Sequence, residues 1–192
     1  MKPLAILFAT REGQTRRIAE RLAGHLRARG APVDVADLAR ALPGQFDVAK
    51  YAAVVVAASV HIGKHAPEAV AFVRAHRSAL AGIPSMFISV SLSAAGAADA
   101  NATAKRRTSA KANRDKMIEE FLRQTGWRPS LVHPVAGALL YREYGFFVRQ
   151  MMRFISSIVG ASTDTSRNHE YTDWKALDTY AEEFAEAIAV AQ

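Results

Sequence analysis

The sequence predicts an α/β fold: a doubly wound, five-stranded parallel sheet with helices on both faces. Short apolar runs alternate along the chain with longer segments of helical periodicity. The apolar runs are continuous, a pattern typical of strands buried on both faces. Right-handed crossovers then bring the strand-to-helix connections to one edge of the sheet, where ligands bind in such folds.

The elements are predicted one by one from the same periodicities. Ile18, Leu22 and Leu26 recur at helical spacing, Gly30 ends that helix, and Pro67 begins the next one. The predicted strands cover 3–9, 33–36, 52–58, 85–90 and 131–138. The predicted helices cover 15–29, 67–80, 111–125 and 173–190.

Length and composition favour one domain over residues 1–192, with an insertion at 139–170 before the last helix. The absence of cysteine excludes disulfides, iron–sulfur clusters, thiolate zinc sites and a cysteine nucleophile. No apolar stretch reaches the ~20 residues needed to span a bilayer. We therefore expect a cytoplasmic protein, either soluble or attached peripherally to the cytoplasmic face of the inner membrane.

The excess positive charge of +7 is concentrated in two segments. Residues 105–116 hold six basic residues against one acidic residue, and residues 142–153 hold three against one. Such patches suit an anionic partner such as lipid head groups or a carboxylated ligand, or they are solvated faces. Nucleic acid is not expected, because no aromatic residues are interleaved with the basic ones.

A turn rich in hydrogen-bond donors follows the first strand. Thr10 and Thr15 offer hydroxyl groups, Gly13 allows close approach of the backbone, and a helix begins at about Thr15 with free N–H groups. The turn matches neither G-x-G-x-x-G nor G-x-x-x-x-G-K-[ST]. It predicts a phosphate site, the alternative being a tight turn with a threonine helix cap.

The segment FATREGQT (8–15) resembles the T-x-[ST/E]-G-x-T phosphate loop of flavodoxins, which holds the phosphate of FMN. AASVHIGKH (57–65) and SVSL (89–92) follow the third and fourth strands, where the two loops that flank the flavin ring lie in that fold. The resemblance implies a flavodoxin-like fold and FMN as cofactor. It implies contacts to the phosphate from Thr10, Arg11, Glu12, Gly13, Gln14 and Thr15, and contacts to the ring from Ser59, Val60, His61, Gly63, Ser89, Val90, Ser91 and Leu92.

The chain also resembles the bacterial FMN-dependent protoporphyrinogen IX dehydrogenases that reduce quinone. The runs GWRPSLVHPVAGALLYREY (126–144), TDTS (163–166) and YTDW (171–174) carry this resemblance beyond the phosphate loop. It implies oxidation of a porphyrinogen by bound FMN, with quinone as acceptor, in haem biosynthesis. It brings Thr163, Asp164 and Thr165 toward the flavin and makes Tyr141, Arg142 and Tyr144 candidates for the substrate region. No residue stands out as an obligatory acid or base.

The insertion contains a candidate helix at 144–159 with a narrow polar stripe that includes Arg149 and Arg153. Its wide apolar face is expected to pack internally, against a second subunit in a homo-oligomer, or into a membrane interface. The arginines and the nearby basic segment favour the membrane surface, where a quinone would be met.

Two further functions stay open from the sequence. A flavodoxin-type electron carrier would share the fold, although a soluble carrier usually presents an acidic surface. An NAD(P)H-quinone reductase would share the acceptor. His61 and His65 are four residues apart, but no third ligand has suitable spacing, so we expect no metal site.

Overall fold

Five parallel strands form the central sheet of the computed structural model, which describes residues 2–40, 46–139 and 164–191. The order β2–β1–β3–β5–β6 places β3 in the middle. The strands are β1 (Leu4–Ala9), β2 (Val33–Asp37), β3 (Ala53–His61), β5 (Ser85–Ser91) and β6 (Leu131–Ala136). A short β4 (Lys64–His65) folds back antiparallel on β3. The predicted five-stranded α/β fold is confirmed.

Helices cover both faces of this sheet. They are α1 (Gln14–Ala28), α2 (Pro67–Leu80), α3 (Leu92–Ala98), α4 (Ala104–Thr125) and α5 (Trp174–Val190), with a short 3-10 helix at Val48–Lys50. All six residues of β1 are buried, so successive side chains enter two separate cores. Ile6 packs in the core shared with α1 and α5, and Leu7 packs in the core shared with α2 and α4. Full burial of such a side chain contributes roughly 1.5–3 kcal/mol.

Parallel pairing brings the ends of three strands level at the carboxyl edge of the sheet. Ala9 of β1 lies opposite Ala58 of β3, and Ser59 lies opposite Val90 of β5. The turn after β1, the end of β3 and the end of β5 therefore meet at one place. That edge positions the candidate site.

Several predicted ends of strands and helices were wrong, because strand pairing and helix capping, and not residue composition, determine where an element ends. β3 continues through His61, since Val60 pairs with His65 in the hairpin that β4 closes. The predicted strand 131–138 is two strands: β6 ends at Ala136, and β7 (Ala138–Leu139) pairs instead with β8 (His169–Glu170).

Two helical features were also missed. No element was predicted between 91 and 110, but α3 forms there, and the Ser91 hydroxyl caps it by accepting a hydrogen bond from Ala94 N at 3.1 Å. α4 begins at Ala104, capped by Thr103, and not at 111. The predicted helix at 144–159 lies outside the described residues.

Within the three described ranges, no helix combines the length and the apolar character needed to cross a bilayer.

Candidate functional site

The turn between β1 and α1 is shaped to hold an anion. Gly13 adopts the left-handed conformation (φ +89°), and its N–H donates to Thr10 Oγ1 at 2.9 Å. No side chain caps the start of α1, and no acidic residue lies in its first turn. The N–H groups of that first turn and the positive end of the helix dipole therefore face the turn without competition.

Two buried hydroxyl groups lie beside this turn without a partner. Thr15 Oγ1, in the first turn of α1, and Ser59 Oγ, near the end of β3, have no hydrogen-bond partner among the described residues. Because a buried polar atom is nearly always hydrogen-bonded, two such atoms at one edge of the sheet call for a bound polar group. A phosphate ester at the turn would supply acceptors for Thr15 and the free N–H groups.

A shallow inner cleft of about 420 Å³, measured with its open mouth included, joins the three strand ends. Most of the predicted contacts come together here, from the turn after β1 and from the ends of β3 and β5. Gly137 and Ala138 complete the cleft and were not predicted, since the sequence analysis had placed them at the end of a strand. The predicted residues that line it are Thr10, Glu12, Gln14, Thr15, Ser59, Val60, His61, Val90, Ser91 and Leu92.

Gly137 shows how closely the segment after β6 approaches β5. Its N–H donates to Ser91 O at 3.2 Å, and a Cβ added to it would lie 3.4 Å from Val90 Cγ1. A side chain here would crowd the wall of the inner cleft. Glycine therefore suits this position. The sequence did not place Gly137 at the cleft, because its contact with β5 is visible only in the structure.

Four other predicted residues lie near the inner cleft without lining it. Arg11 and Gly63 face a neighbouring groove between α2 and α4. Gly13 contributes through its backbone conformation. Ser89 is fully buried beneath the cleft.

The remaining predicted contacts fall in or beside the insertion. Asp164 is exposed, and its carboxylate accepts hydrogen bonds from the N–H and hydroxyl of Ser166 at 3.0 and 2.6 Å. These bonds, the hydroxyl contact above all, lower the pKa of Asp164. Asp164 and Thr165 do not line the inner cleft as the described residues define it. Thr163, Tyr141, Arg142 and Tyr144 lie outside the described residues.

The hairpin β3–β4 is held from below by a buried histidine. His65 Nε2 lies 2.8 Å from Ser89 Oγ, and the His65 ring meets Phe121 at 5.0 Å and Phe87 at 5.3 Å between centroids. Burial lowers the pKa of His65 to about 4, so the ring is neutral at physiological pH. His65 is buried, whereas His61, four residues earlier, is half-buried and lines the inner cleft.

The tip of the same hairpin reaches over the site. Ile62 (φ +49°) and Gly63 (φ +73°) both adopt positive φ, as in a type I′ turn. His61, just before the tip, is half-buried, and its Nδ1 lies 3.9 Å from Glu12 Oε1 on the turn after β1. The hairpin thereby brings the His61 imidazole to the inner cleft and leaves the Ile62 side chain exposed at its tip.

A polar connection ties the turn after β1 to the strand that follows the insertion. Gln14 Nε2 donates to Thr172 Oγ1 at 2.8 Å, and Thr172 Oγ1 donates to Ala136 O at 2.8 Å. Arg17 adds an ion pair with Glu170 of β8 at 3.0 Å. The start of α1, the end of β6 and the hairpin β7–β8 are thus fixed to one another.

Comparison with known proteins agrees with this geometry. Residues 5–166 match the flavodoxin domain family. The structure superposes on a short-chain flavodoxin associated with a non-canonical PDU bacterial microcompartment (TM-score 0.53, 15% identity, 98% of this chain and 99% of that one). It also superposes on rubredoxin oxygen:oxidoreductase from Desulfovibrio gigas (TM-score 0.56, 14% identity), covering all of this chain but only 37% of the other. These two structures support the fold alone.

Curated relatives carry a more specific name. The chain is 35% identical over 185 residues to protoporphyrinogen IX dehydrogenase [quinone] of Escherichia coli K12, covering 96% of this chain and 95% of the relative. It is 33% identical over 184 residues to the protein of that name from Leishmania major, covering 94% and 73%. The chain therefore belongs to the flavodoxin family, and within it to the family of the protoporphyrinogen IX dehydrogenases [quinone].

Proposed function

We propose that this protein is an FMN-dependent protoporphyrinogen IX dehydrogenase that passes electrons to a membrane quinone in haem biosynthesis. The observation that carries the proposal is the near full-length match to relatives of that name, together with an inner cleft whose donors suit a flavin phosphate. We treat residues 1–192 as one functional domain, in which the insertion at 139–170 adds to the substrate region.

The turn after β1 is proposed to hold the phosphate of FMN. Thr10 keeps the turn closed through Gly13, while Thr15 Oγ1 and the first N–H groups of α1 donate to phosphate oxygens. Arg11, Glu12 and Gln14 complete the turn, with exposed Arg11 available to the phosphate as a charge. A mononucleotide fits better than a dinucleotide, because the turn offers one anion site and lacks G-x-G-x-x-G.

The ends of β3 and β5 are proposed to hold the flavin ring between them. Ser59, Val60, His61 and Gly63 approach from one side, and Ser89, Val90, Ser91 and Leu92 approach from the other. Ser89 supports this contact from below through His65. Backbone N–H and C=O groups at strand ends can recognise the polar edge of a flavin while apolar side chains exclude water. Thr163, Asp164 and Thr165 are proposed as further contacts from the end of the insertion.

Bound FMN would supply the two-electron chemistry, and the protein supplies binding, orientation and exclusion of water. In each step the porphyrinogen loses two electrons and two protons, and one quinone takes them up as quinol. We assign no side chain of the inner cleft as an obligatory acid or base. Tyr141, Arg142 and Tyr144 of the insertion are proposed to contribute to the substrate region.

The proposed acceptor requires the protein to reach a bilayer, since a membrane quinone is reduced at the lipid surface. α4 presents Lys105, Arg106 and Lys111 to solvent in its amino-terminal half, which suits anionic lipid head groups, and Lys116 just beyond it is also exposed. We propose peripheral attachment on the cytoplasmic face of the inner membrane. A homo-oligomer built on the insertion is a second proposal for the apolar face at 144–159.

The decisive experiment mixes FMN-loaded protein with protoporphyrinogen IX without oxygen. We expect the oxidised flavin band to bleach and to return when a soluble quinone is added. Absence of bleaching, with NADH or NADPH bleaching the flavin instead, would identify a nicotinamide-driven quinone reductase. A stable one-electron state on photoreduction, without porphyrinogen turnover, would identify an electron carrier.

A further inference from the structure

A groove between α2 and α4 lies beside the inner cleft and is distinct from it. This α2–α4 groove encloses about 1260 Å³ including its open mouth, and the start of α2 and the carboxyl-terminal half of α4 form most of its walls. The flavin ring is proposed to lie between the ends of β3 and β5, whereas none of the described residues of β5 or α3 lines this groove. The proposed cofactor therefore does not fill it.

The groove has an apolar lining. Val70 of α2 and Met117 of α4 are half-buried along it, and Phe121 of α4 is almost completely buried and forms its floor. His65, which also lines the groove, is neutral because burial lowers its pKa to about 4. A groove of this size and lining suits an apolar ligand that contains several rings.

Two cations at the groove have no acidic partner. Lys64 of the hairpin and Arg74 of α2 are exposed, and neither makes a hydrogen bond or ion pair among the described residues. The carboxylate that lines the groove, Glu120, is bound by Arg123 at 2.6 and 3.0 Å, so its charge is already compensated. The groove therefore carries excess positive charge from two separate elements, which favours a ligand with more than one carboxylate.

The groove meets the inner cleft at the hairpin. Ser59 and His61 line both of them. A large ring system in the groove would therefore have one edge beside the strand ends that are proposed to hold the flavin. Arg11 lines the groove as well, but it is already proposed as a charge for the flavin phosphate and is not needed here.

We infer that the α2–α4 groove binds the tetrapyrrole, with Lys64 and Arg74 each holding one propionate carboxylate. The macrocycle would contact the apolar lining of the groove. This inference rests on the proposed function, which supplies a substrate with two carboxylates on a large apolar ring. It assigns the porphyrinogen to described residues of the hairpin, α2 and α4, in addition to any contact from the insertion, and it gives both unpaired cations a counterion.

The test measures binding of mesoporphyrin IX, a stable dicarboxylate, to the FMN-loaded protein by calorimetry. We expect binding without release of FMN, because the groove and the cofactor cleft are separate sites. The dimethyl ester, which lacks the charges, should bind about tenfold more weakly or less tightly still. Displacement of FMN by the porphyrin would overturn the inference, because the porphyrin would then occupy the cofactor cleft. Equal affinity for the diacid and the ester would also overturn it.

The two cations are tested by removing each charge. Lys64→Gln and Arg74→Gln should each weaken binding of the diacid about three- to tenfold and leave binding of the ester unchanged. Arg77→Gln is the matched control, because Arg77 is exposed on α2 one turn after Arg74 and does not line the groove. The affinity for FMN should be the same in all three variants.

A charge of the opposite sign tests the groove without removing a cation. Ala71 is exposed on α2 and lines the groove, and glutamate is well tolerated in a helix, so Ala71→Glu should fold normally. The added carboxylate should repel the diacid and weaken its binding about tenfold. Ala79→Glu, exposed on the same helix but outside the groove, should leave the affinity unchanged.

Unchanged diacid affinity in Arg74→Gln and Ala71→Glu, while the parent still oxidises protoporphyrinogen, overturns the inference and leaves the proposed function standing. A parent protein that binds mesoporphyrin IX in the expected pattern, but whose flavin is not bleached by porphyrinogen, would retain the site and reject the proposed function. A parent that neither binds porphyrin nor oxidises porphyrinogen rejects both.

Discussion

His65 Nε2 lies 2.8 Å from Ser89 Oγ, which joins the end of the β3–β4 hairpin to the buried strand β5 beneath the candidate site. The ring is also enclosed by Phe87 and Phe121, whose own rings stack at 4.2 Å. The hairpin carries His61 and Ile62 at its tip, and His65 anchors its other end in the core. The anchor depends on a neutral imidazole.

Stability should therefore rise with pH through the range in which free histidine titrates. Because the pKa of folded His65 is lowered to about 4, the unfolded chain binds a proton between about pH 4 and 6.5 that the folded chain does not. The free energy of unfolding should fall by up to about 3 kcal/mol as the pH drops through this window. Urea denaturation from pH 4.5 to 7.5 measures the slope. His65→Gln should flatten it, whereas His76→Gln should not, and equal slopes in all three proteins would contradict the assignment.

The buried Thr15 hydroxyl should serve the cofactor and not the fold. Thr15→Val keeps the shape of the side chain and removes an oxygen that has no partner among the described residues. We expect unchanged or slightly higher stability of the FMN-free protein. We also expect about ten- to one-hundredfold weaker FMN binding, the size of one hydrogen bond to a charged group. Fluorescence titration with FMN provides the measurement. Thr179→Val, at an exposed position of α5, is the matched control. An FMN affinity of Thr15→Val equal to that of the parent would remove Thr15 from the phosphate site.

The contact between Gln14 and Thr172 should be measurable as a coupling energy. Both side chains are buried, and Thr172 passes the connection on to Ala136 O. Gln14→Leu and Thr172→Val should each lower the free energy of unfolding by about 1–3 kcal/mol. The double variant should fall short of their sum by about 1 kcal/mol. A cycle of four urea denaturation curves tests this, and strict additivity would show that the two side chains act independently.

The basic half of α4 should bind anionic vesicles. Each exposed cation near such a surface contributes about 1 kcal/mol, so the triple variant Lys105→Gln, Arg106→Gln, Lys111→Gln should bind about one-hundredfold more weakly. Co-sedimentation with vesicles containing phosphatidylglycerol measures this, and high salt should release the parent protein. A control triple variant of Arg40, Lys50 and Lys175 neutralises the same number of charges away from α4. Recovery of the parent in the supernatant at low salt would argue against attachment.

The sheet could be predicted from the sequence because each strand shows its burial in its own pattern of apolar residues. The continuous apolar runs of β1, β3 and β5 and the stripe of Ile18, Leu22 and Leu26 reflect burial that each segment shows by itself. The tight turn after β1 was equally predictable, since Thr10, Gly13 and Thr15 lie within six residues of one another.

Elements that form only by pairing with another segment of the chain could not be predicted from their own residues. β4 exists because His65 pairs with Val60, and β7 exists because Leu139 pairs with His169, thirty positions along the chain. Gly137 was likewise missed as part of the inner cleft, because only its contact with β5 places it there. α3 was missed because its seven residues are nearly all small and show no polar–apolar helical periodicity, and its start is fixed by the Ser91 hydroxyl.

The pairing of β7 with β8 determines how the insertion is attached to the rest of the fold. Leu139 and His169 are register partners, so the two stems of the insertion leave the body of the protein side by side. A segment anchored in this way can be lengthened, shortened or exchanged without pulling on the sheet, because the gap it has to bridge is a single strand spacing. The length and sequence of the insertion can therefore vary independently of the sheet, and a graft of this stem onto another flavodoxin-like fold is a natural starting point for protein engineering.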